Sequence, residues 1–219
     1  MSNWPEWTSP DGRIRLINAD CLEVLPFVKA DAVVTDPPYG IQANKAGAHS
    51  SIRDNPAWER GSWDDCRPEK SLFDQLLKFD EVAIWGGNFF ADLLPASSAW
   101  LAWIKPEAET GFSLADMELC WTNKSFAART MRWRRRDGNL HPTQKPVRVF
   151  EWTLSFIDSK TILDPFAGSC TTAVACIRSH RSCICIEREA SYFEIGIQRV
   201  KDEYARTALF NDQEELATA

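Results

Sequence analysis

Short apolar runs alternate along this chain with segments of helical periodicity, and this alternation restricts the fold more than any other feature. The runs lie at 14–18, 31–36, 81–87, 99–105, 117–123, 160–168 and 182–189, and the helical patterns at 68–79, 145–157, 171–179 and 191–205. Such alternation is typical of an α/β domain around a mostly parallel sheet. We therefore predict one domain over residues 1–205, followed by a C-terminal tail at 206–219.

Composition excludes several other classes of protein. A hydrophobic content of 44% in 219 residues is that of an ordinary globular protein. No apolar run reaches transmembrane length, and the N-terminus does not resemble a signal peptide. The seven cysteines are odd in number and lack C-x-x-C spacing, so a disulfide framework and a zinc site are both disfavoured. We expect a cytoplasmic protein without a membrane partner, with Cys170, Cys176, Cys183 and Cys185 acting as small buried hydrophobic residues.

Two predicted strands end in the same way. "VVTDPPYG" and "TILDPFAG" each bring an apolar run to an aspartate, a proline, an aromatic residue and a glycine. The proline pair after Asp36 makes the first turn stiff. Because the carboxyl ends of parallel strands share one edge of a sheet, Asp36 and Asp164 would line one crevice if their strands are neighbours. Their carboxylates would then need separate partners, since mutual repulsion would otherwise raise one pKa.

The second strand end has the features of a ligand-binding turn. Gly168 lies among small residues between a strand and a helix, where a ligand can approach the backbone. Glu187 ends the next strand 19 residues later, the spacing at which nucleotide-binding folds bring an acid to ribose hydroxyls. A phosphate-binding glycine motif and a Walker lysine are both missing. A nucleoside cofactor without phosphates therefore fits this turn best.

With these motifs in view, the chain resembles the amino-group DNA methyltransferases that use S-adenosylmethionine. The resemblance is carried by "DPPYG" at 36–40, "HPTQKP" at 141–146 and "DPFAGS" at 164–169. The catalytic motif precedes the cofactor motif, which is similar to the order in their permuted β class. The resemblance implies a circularly permuted, Rossmann-like methyltransferase domain. Its mostly parallel seven-stranded sheet would contain an antiparallel strand and carry helices on both faces.

The resemblance also implies roles for individual residues. Asp36 and the carbonyl of Pro37 would accept hydrogen bonds from the target amino group, Pro38 would keep the turn rigid, and Tyr39 would stack on a flipped-out base. S-Adenosylmethionine would be bound by Asp20, Cys21, Thr143, Gln144, Lys145, Asp164, Pro165, Phe166, Ala167, Gly168, Ser169, Thr171, Thr172 and Glu187. Within this set, Glu187 would bind the ribose and Asp20 the adenine amine. The sulfonium carries its own leaving group, so the chemistry requires no metal.

Two segments would face the DNA. Residues 41–65 have no clear period and follow the Asp36 turn directly, so we interpret them as a substrate-side loop. Residues 125–140 form a short basic recognition segment, in which the predicted DNA contacts are Arg132, Trp133, Arg134, Arg135 and Arg136. Without context, an arginine run is more often a solvated face or strand edge. The partner implied by the resemblance is double-stranded DNA, although the net charge of −6 argues mildly against a nucleic-acid binder.

Several alternatives stay open at this point. Cytosine-N4 methylation uses the same geometry, but family members with that activity more often have serine at the position of Asp36. An inactive cofactor-binding subunit is a further alternative, which the intact Asp-Pro-Pro-Tyr motif disfavours. The family commonly has glycine where this chain has Cys170, so the cofactor loop differs there. The short recognition segment predicts relaxed sequence specificity in a bacterial or phage-encoded enzyme. Together with the acidic net charge, it also favours dependence on a second chain or on homodimerisation for gripping DNA.

Overall fold

The computed structural model describes residues 4–41, 65–106, 115–134 and 144–218, with side chains as far as residue 207. It forms a nine-stranded sheet with the order β1-β2-β9-β8-β3-β4-β6-β5-β7. The strands are β1 (Glu6–Thr8), β2 (Ile14–Asn18), β3 (Ala32–Thr35), β4 (Glu81–Trp85), β5 (Trp100–Ile104), β6 (Met117–Thr122), β7 (Arg129–Arg132), β8 (Thr161–Asp164) and β9 (Ser182–Glu187). The α/β prediction is confirmed.

The predicted count of seven strands is too low. The two additional strands, β1 and β7, lie at the two edges of the sheet. Most of their residues are exposed, and neither contains an apolar run that would have marked it as a strand. Strand β6 runs antiparallel to both of its neighbours, and β1 runs antiparallel to β2, while the other pairings are parallel. The expected antiparallel strand is thus present in the interior of the sheet.

Helices cover both faces of the sheet. They are α1 (Cys21–Val24), α2 (Lys70–Leu76), α3 (Val147–Leu154), α4 (Thr171–Arg178) and α5 (Ala190–Thr218), with short 3-10 turns at Leu25–Phe27 and Gly87–Phe90. One hydrophobic cluster contains the buried residues of α3, α4 and α5. A second contains those of α1 and α2. The layered architecture buries the sheet between these two clusters.

Alternation along the strands explains why both faces are buried. In β3, Ala32 and Val34 belong to the α3–α5 cluster, whereas Val33 belongs to the α1–α2 cluster. Successive side chains of a strand point to opposite faces, so a strand covered on both sides must be apolar throughout. The four cysteines expected in the core, at 170, 176, 183 and 185, are fully buried. They pack against the helices of the first cluster.

Two segments differ from their sequence-based description. The basic recognition segment contains β7, which pairs in parallel with β5. Helix α5 continues through residues 206–218, which the sequence presents as a tail. Residues 42–64 of the predicted substrate-side loop lie outside the described residues. Among the helices in the described parts of the chain, none is both long and apolar enough to cross a bilayer.

The strand order contains the switch point at which α/β sheets bind ligands. The chain moves from β3 to β4 in one direction along the sheet and from β8 to β9 in the other, so the direction reverses between the neighbouring strands β8 and β3. In open parallel sheets, ligands bind at the carboxyl ends of strands beside such a reversal. The two Asp-Pro turns follow β8 and β3 and therefore lie together at this point.

Glu81 anchors the opposite end of β4. Its side chain is buried and accepts hydrogen bonds from Lys124, from the amide of Asp158 (3.0 Å), and from the amide and hydroxyl of Ser159 (2.7 and 2.6 Å). Burial alone would raise the pKa of Glu81, but the hydrogen bonds from Lys124 and Ser159 outweigh it and hold the pKa at about 2.

We expect Glu81→Gln to lower the free energy of unfolding by about 3 kcal/mol at neutral pH. Folding lowers the pKa of Glu81 from its ordinary value of 4.5 to about 2. The stabilisation is therefore complete above pH 4.5 and is lost as the pH falls towards 2. Urea denaturation at a series of pH values measures the effect. The difference in the free energy of unfolding between wild type and Glu81→Gln should become smaller as the pH is lowered. Glu69→Gln, at an exposed position, serves as the control. A pH-independent gap would contradict the assignment.

Candidate active site

Asp36 follows β3 directly and has one protein donor on each carboxylate oxygen. The hydroxyl of Tyr39 donates to Oδ1 at 2.6 Å, and Nζ of Lys145 donates to Oδ2. The Asp36 side chain is 23% exposed, whereas that of Lys145 is only 5% exposed. A carboxylate oxygen has two lone pairs, so each oxygen of Asp36 retains acceptor capacity. The exposed part of Asp36 therefore offers a fixed acceptor at the carboxyl end of β3.

The ring of Tyr39 is held by its contacts with two further residues. It stacks on Phe89 with ring centroids 4.6 Å apart and an angle of 16° between the planes. Gly86 lies directly against it, because a Cβ built on Gly86 would be 2.0 Å from Cε1 of Tyr39. Gly86 also has φ of +70°, in the left-handed region that favours glycine. The turn after β4 thus leaves room for the tyrosine ring.

Asp164 is buried, and other parts of the fold satisfy its carboxylate. It accepts hydrogen bonds from the hydroxyl of Thr35 at 2.7 Å, the amide of Phe166 at 3.1 Å and the hydroxyl of Thr172. Burial raises the pKa of Asp164 to about 7. Asp36 follows β3 and Asp164 ends the neighbouring strand β8, and their carboxylates have separate partners. Because Asp164 is only 2% exposed, it does not line an open crevice together with Asp36. The contacts of Asp164 hold the turn in place.

The turn between β8 and α4 combines two left-handed residues. Gly168 has φ of +50°, and Cys170, directly before α4, has φ of +60°. This conformation explains why glycine would suit position 170. The carboxylate of Glu187, at the end of β9, accepts hydrogen bonds from the amide of Gly168 at 2.7 Å and from the amide of Glu189 at 2.8 Å. Burial raises the pKa of Glu187. Glu187 therefore ties the turn to the neighbouring strand.

The end of β2 completes the same edge of the sheet. Asn18 lies opposite Glu187 in the register of β2 and β9, and its amide group donates to the Glu187 carbonyl at 2.8 Å. Asp20 follows as the N-cap of α1 and accepts from the amide of Leu22 at 2.8 Å. Cys21 is buried beside it, and burial raises the pKa of its thiol to about 12. Asp20 and Glu187 thus end adjacent strands.

The other residues predicted to bind a cofactor divide into two groups. Beside the turn after β8, Gln144 accepts a hydrogen bond from Ser169 at 3.5 Å, and Pro165, Ala167, Ser169, Thr171 and Thr172 are buried while Phe166 is half-buried. Lys145, by contrast, contacts Asp36 and Tyr39 instead of this turn. Pro37 is buried and Pro38 half-buried. Thr143 lies outside the described residues.

The predicted DNA contacts are only partly described. Arg132 and Arg134 are exposed, while Arg135 and Arg136 lie outside the described residues. Trp133 is half-buried and packs against the α3–α5 cluster, which favours a packing role for its ring. Trp85, Trp103 and Trp121 are buried in the core, and Trp100 packs against the second cluster.

Sequence reasoning missed three contributors to this site. Glu118 on β6 lies 2.9 Å from Nζ of Lys145, and Phe89 supports Tyr39. Arg199 on α5 donates to Ser169 Oγ at 3.0 Å and to the hydroxyl of Thr171 at 2.9 Å. Glu118 was detectable in principle as a carboxylate within an apolar strand pattern. Phe89 and Arg199 carry no local signal, because their partners are distant in sequence.

Comparison with known proteins identifies the family of this chain. The sequence model of a family described as DNA methylase matches residues 83–198, more than half of the chain. The chain belongs to this family. It is therefore an amino-group DNA methyltransferase of the S-adenosylmethionine-dependent kind.

Three relatives show how far the similarity extends. The chain is 23% identical to the type II methyltransferase M2.MboI of Moraxella bovis, over 89% of this chain and 90% of the relative. A crystal structure of the M1.HpyAVI–SAM complex aligns with a TM-score of 0.57 at 21% identity, covering 85% of this chain and 98% of the other. The cytosine-N4-specific PvuII DNA methyltransferase also aligns with a TM-score of 0.57, at 14% identity, covering 91% and 93%. These two structural matches show that the present chain has the same fold as both methyltransferases.

Proposed function

We propose that this methyltransferase transfers a methyl group from S-adenosylmethionine to the 6-amino group of adenine in DNA. The observation that carries the proposal is the fixed and partly exposed carboxylate of Asp36. It lies beside the turn after β8, at the reversal of strand order where α/β sheets bind ligands.

The chemistry of the target amine explains the need for a fixed acceptor. The lone pair of an exocyclic amine is delocalised into the base, so the nitrogen must pyramidalise before it can attack. Asp36 and the carbonyl of Pro37 would accept the two N–H bonds and direct the lone pair towards the methyl donor. The prolines at 37 and 38 keep these acceptors rigid, so little reorganisation accompanies the reaction. Tyr39 would stack on the base after it leaves the duplex.

The residues around the turn after β8 fit a nucleoside cofactor. Glu187 has one backbone donor on each oxygen, so its carboxylate retains lone pairs for ribose hydroxyls. Asp20 has the same capacity for the adenine amine, and Gly168 lets a ligand approach the backbone. When bound, S-adenosylmethionine supplies an electrophilic methyl group on a sulfonium leaving group. The buried contacts of Asp164 would hold the turn in shape.

The substrate assignment rests on the chemistry of Asp36. A carboxylate is a stronger hydrogen-bond acceptor than the serine hydroxyl common in cytosine-N4 enzymes, and this favours adenine. Arg132, which ends the edge strand β7, and Arg134, two residues later, are exposed and would contact DNA phosphates while contributing little to sequence recognition. We therefore also propose relaxed specificity, with dimerisation as a second means of gripping the duplex.

Methyl transfer from labelled S-adenosylmethionine to unmethylated double-stranded DNA tests the proposal. The product nucleosides are separated, and Asp36→Ala is compared with Asp74→Asn, which changes an exposed aspartate on α2. Label in 6-methyladenine that is lost only with Asp36→Ala is the expected result. Label in 4-methylcytosine would show that the target base is cytosine and not adenine. Cofactor binding without any transfer to DNA would overturn the proposal. Activity that rises more than linearly with enzyme concentration would support the dimer.

A further inference from the structure

Behind Asp36, four charged side chains of alternating sign form a continuous chain of contacts. Lys105, after β5, lies 2.6 Å from Oε1 of Glu118. Oε2 of Glu118 lies 2.9 Å from Nζ of Lys145, which in turn contacts Asp36. The two lysines are buried, with side chains 9% and 5% exposed. Two ammonium groups and two carboxylates thus balance in charge within the fold.

Lys145 uses its full donor capacity inside this chain. An ammonium group has three N–H donors, and those of Lys145 are directed at Asp36, at the hydroxyl of Tyr39 (2.8 Å) and at Glu118. The Tyr39 hydroxyl donates its own hydrogen bond to the other oxygen of Asp36 at 2.6 Å. Nζ also lies 5.3 Å from the ring centroid of Tyr39 and 5.7 Å from that of Trp85, an arrangement that stabilises a cation. No donor of Lys145 is left for a cofactor carboxylate.

We propose that Lys145 is the positioning residue that holds Asp36 as an oriented, ionised acceptor, and that Glu118 sets how strongly it does so. This inference rests on the proposed role of Asp36 as acceptor for the target amine. The ammonium and the Tyr39 hydroxyl fix the two oxygens of Asp36, so the carboxylate cannot rotate away from the base. The positive charge of Lys145 favours the ionised form of Asp36. Both oxygens of the ionised carboxylate accept hydrogen bonds, whereas one oxygen of the neutral acid would carry a proton and donate it.

The surrounding charges determine the sign of each effect. Four titratable groups face Asp36. Lys145 comes from the segment before α3, Tyr39 from the same turn as Asp36, and Glu118 and Cys120 from β6. The pKa of Asp36 is raised overall, because burial and the charge of Glu118 outweigh the lowering effect of Lys145 and of the Tyr39 hydrogen bond. Burial would lower the pKa of Lys145, but Asp36 and Glu118 outweigh it and raise that pKa. Lys145 and Glu118 therefore act on Asp36 in opposite directions.

Two substitutions should shift the titration of Asp36 in opposite directions. Lys145→Met removes the positive charge and should raise the pKa of Asp36 by roughly 1 to 3 units. Glu118→Gln removes a negative charge and should lower that pKa. Lys145→Arg, which keeps the charge, should restore a pKa close to that of wild type. Lys70→Met, which breaks an exposed lysine–aspartate pair on α2, is the matched control and should change nothing.

The first measurement requires no catalysis. Carboxyl ¹³C NMR of aspartate-labelled protein follows the Asp36 titration, with the resonance assigned by its loss in Asp36→Asn. The pH dependence of kcat/KM for methyl transfer is the second readout, and its acid limb should move with the NMR pKa. A purely structural role for Lys145 would lower activity without this paired shift of opposite sign.

Each outcome decides the inference. Opposite shifts in Lys145→Met and Glu118→Gln support it, whereas unchanged or parallel shifts overturn it. If Lys145→Met does not fold, the downward shift in Glu118→Gln and recovery in Lys145→Arg still decide it. The proposed function fails separately, when wild type transfers no methyl group to DNA although Asp36 titrates as described.

Discussion

Replacing Asp36 by asparagine is expected to slow methyl transfer by roughly 10³-fold, the largest effect of any single substitution in this methyltransferase. Asparagine has almost the same shape as aspartate but carries no charge, and one of its two positions donates instead of accepting. The variant also leaves Lys145 without one of its two acidic partners. The loss should therefore fall on the chemical step, where charge develops on the target amine.

Single-turnover rates separate this effect from binding. Labelled S-adenosylmethionine is pre-bound and DNA is added in excess, so the observed rate reports transfer itself. Cofactor affinity, measured by calorimetry, should be unchanged, because most of the predicted cofactor contacts lie at the ends of β2, β8 and β9 and at the start of α4, whereas Asp36 follows β3. Asp74→Asn, at an exposed position, controls for the chemical change alone. A single-turnover rate for Asp36→Asn within about tenfold of wild type would show that another group accepts the amine.

The core of the fold follows from sequence because burial imposes a pattern on it. The β3 run consists of buried apolar or β-branched residues, as expected for a strand covered on both faces, and its bounds are close to those predicted. Strands β1 and β7 were not predicted, because edge strands with exposed side chains need no apolar run. The pattern reports burial, so elements with little burial leave little trace in it.

The candidate site likewise contains residues that can be predicted from the sequence and residues that cannot. Asp36, Asp164 and Gly168 belong to local motifs whose strand–turn context can be recognised within ten residues. The contact of Lys145 with Asp36 joins residues 109 positions apart and depends on how the segment before α3 meets the end of β3. The motif that contains Lys145 is recognisable from the sequence, but the cofactor role predicted for its side chain differs from its contacts with Asp36 and Glu118. Charge networks of this kind become visible only when the fold brings their members together.

Gly86 shows how a residue with no chemistry of its own can control the site. The backbone of Gly86 is fixed on both sides, since its amide donates to Leu119 O and its carbonyl accepts from Phe89 N, both at 2.8 Å. A methyl group at this position would lie 2.0 Å from Cε1 of Tyr39. The ring of Tyr39 would therefore have to move, and its hydrogen bond to Asp36 would break.

We expect Gly86→Ala to reduce kcat/KM by roughly 10²-fold, since displacement of a positioning group by about 1 Å has effects of this size. Steric overlap and the left-handed backbone should together lower the free energy of unfolding by roughly 2 to 4 kcal/mol. Gly12→Ala is a matched control, because Gly12 has φ of +74° with no atom within 4 Å of the added methyl group. It should carry the backbone strain and leave activity unchanged.

A double-mutant cycle with Tyr39→Ala identifies the cause of the instability. If the overlap with the ring is responsible, Gly86→Ala should destabilise the Tyr39→Ala protein only by the backbone strain, about 1 to 2 kcal/mol, the same cost as in Gly12→Ala. Urea denaturation of the four proteins measures the coupling energy between the two positions. An equal cost of Gly86→Ala in both backgrounds would mean that the backbone of the β4 turn, and not the position of Tyr39, requires glycine. The methyl-transfer rate of Tyr39→Phe, which keeps the ring and lacks the hydroxyl, compared with that of Tyr39→Ala shows whether Tyr39 acts through its ring or through the hydroxyl that binds Asp36.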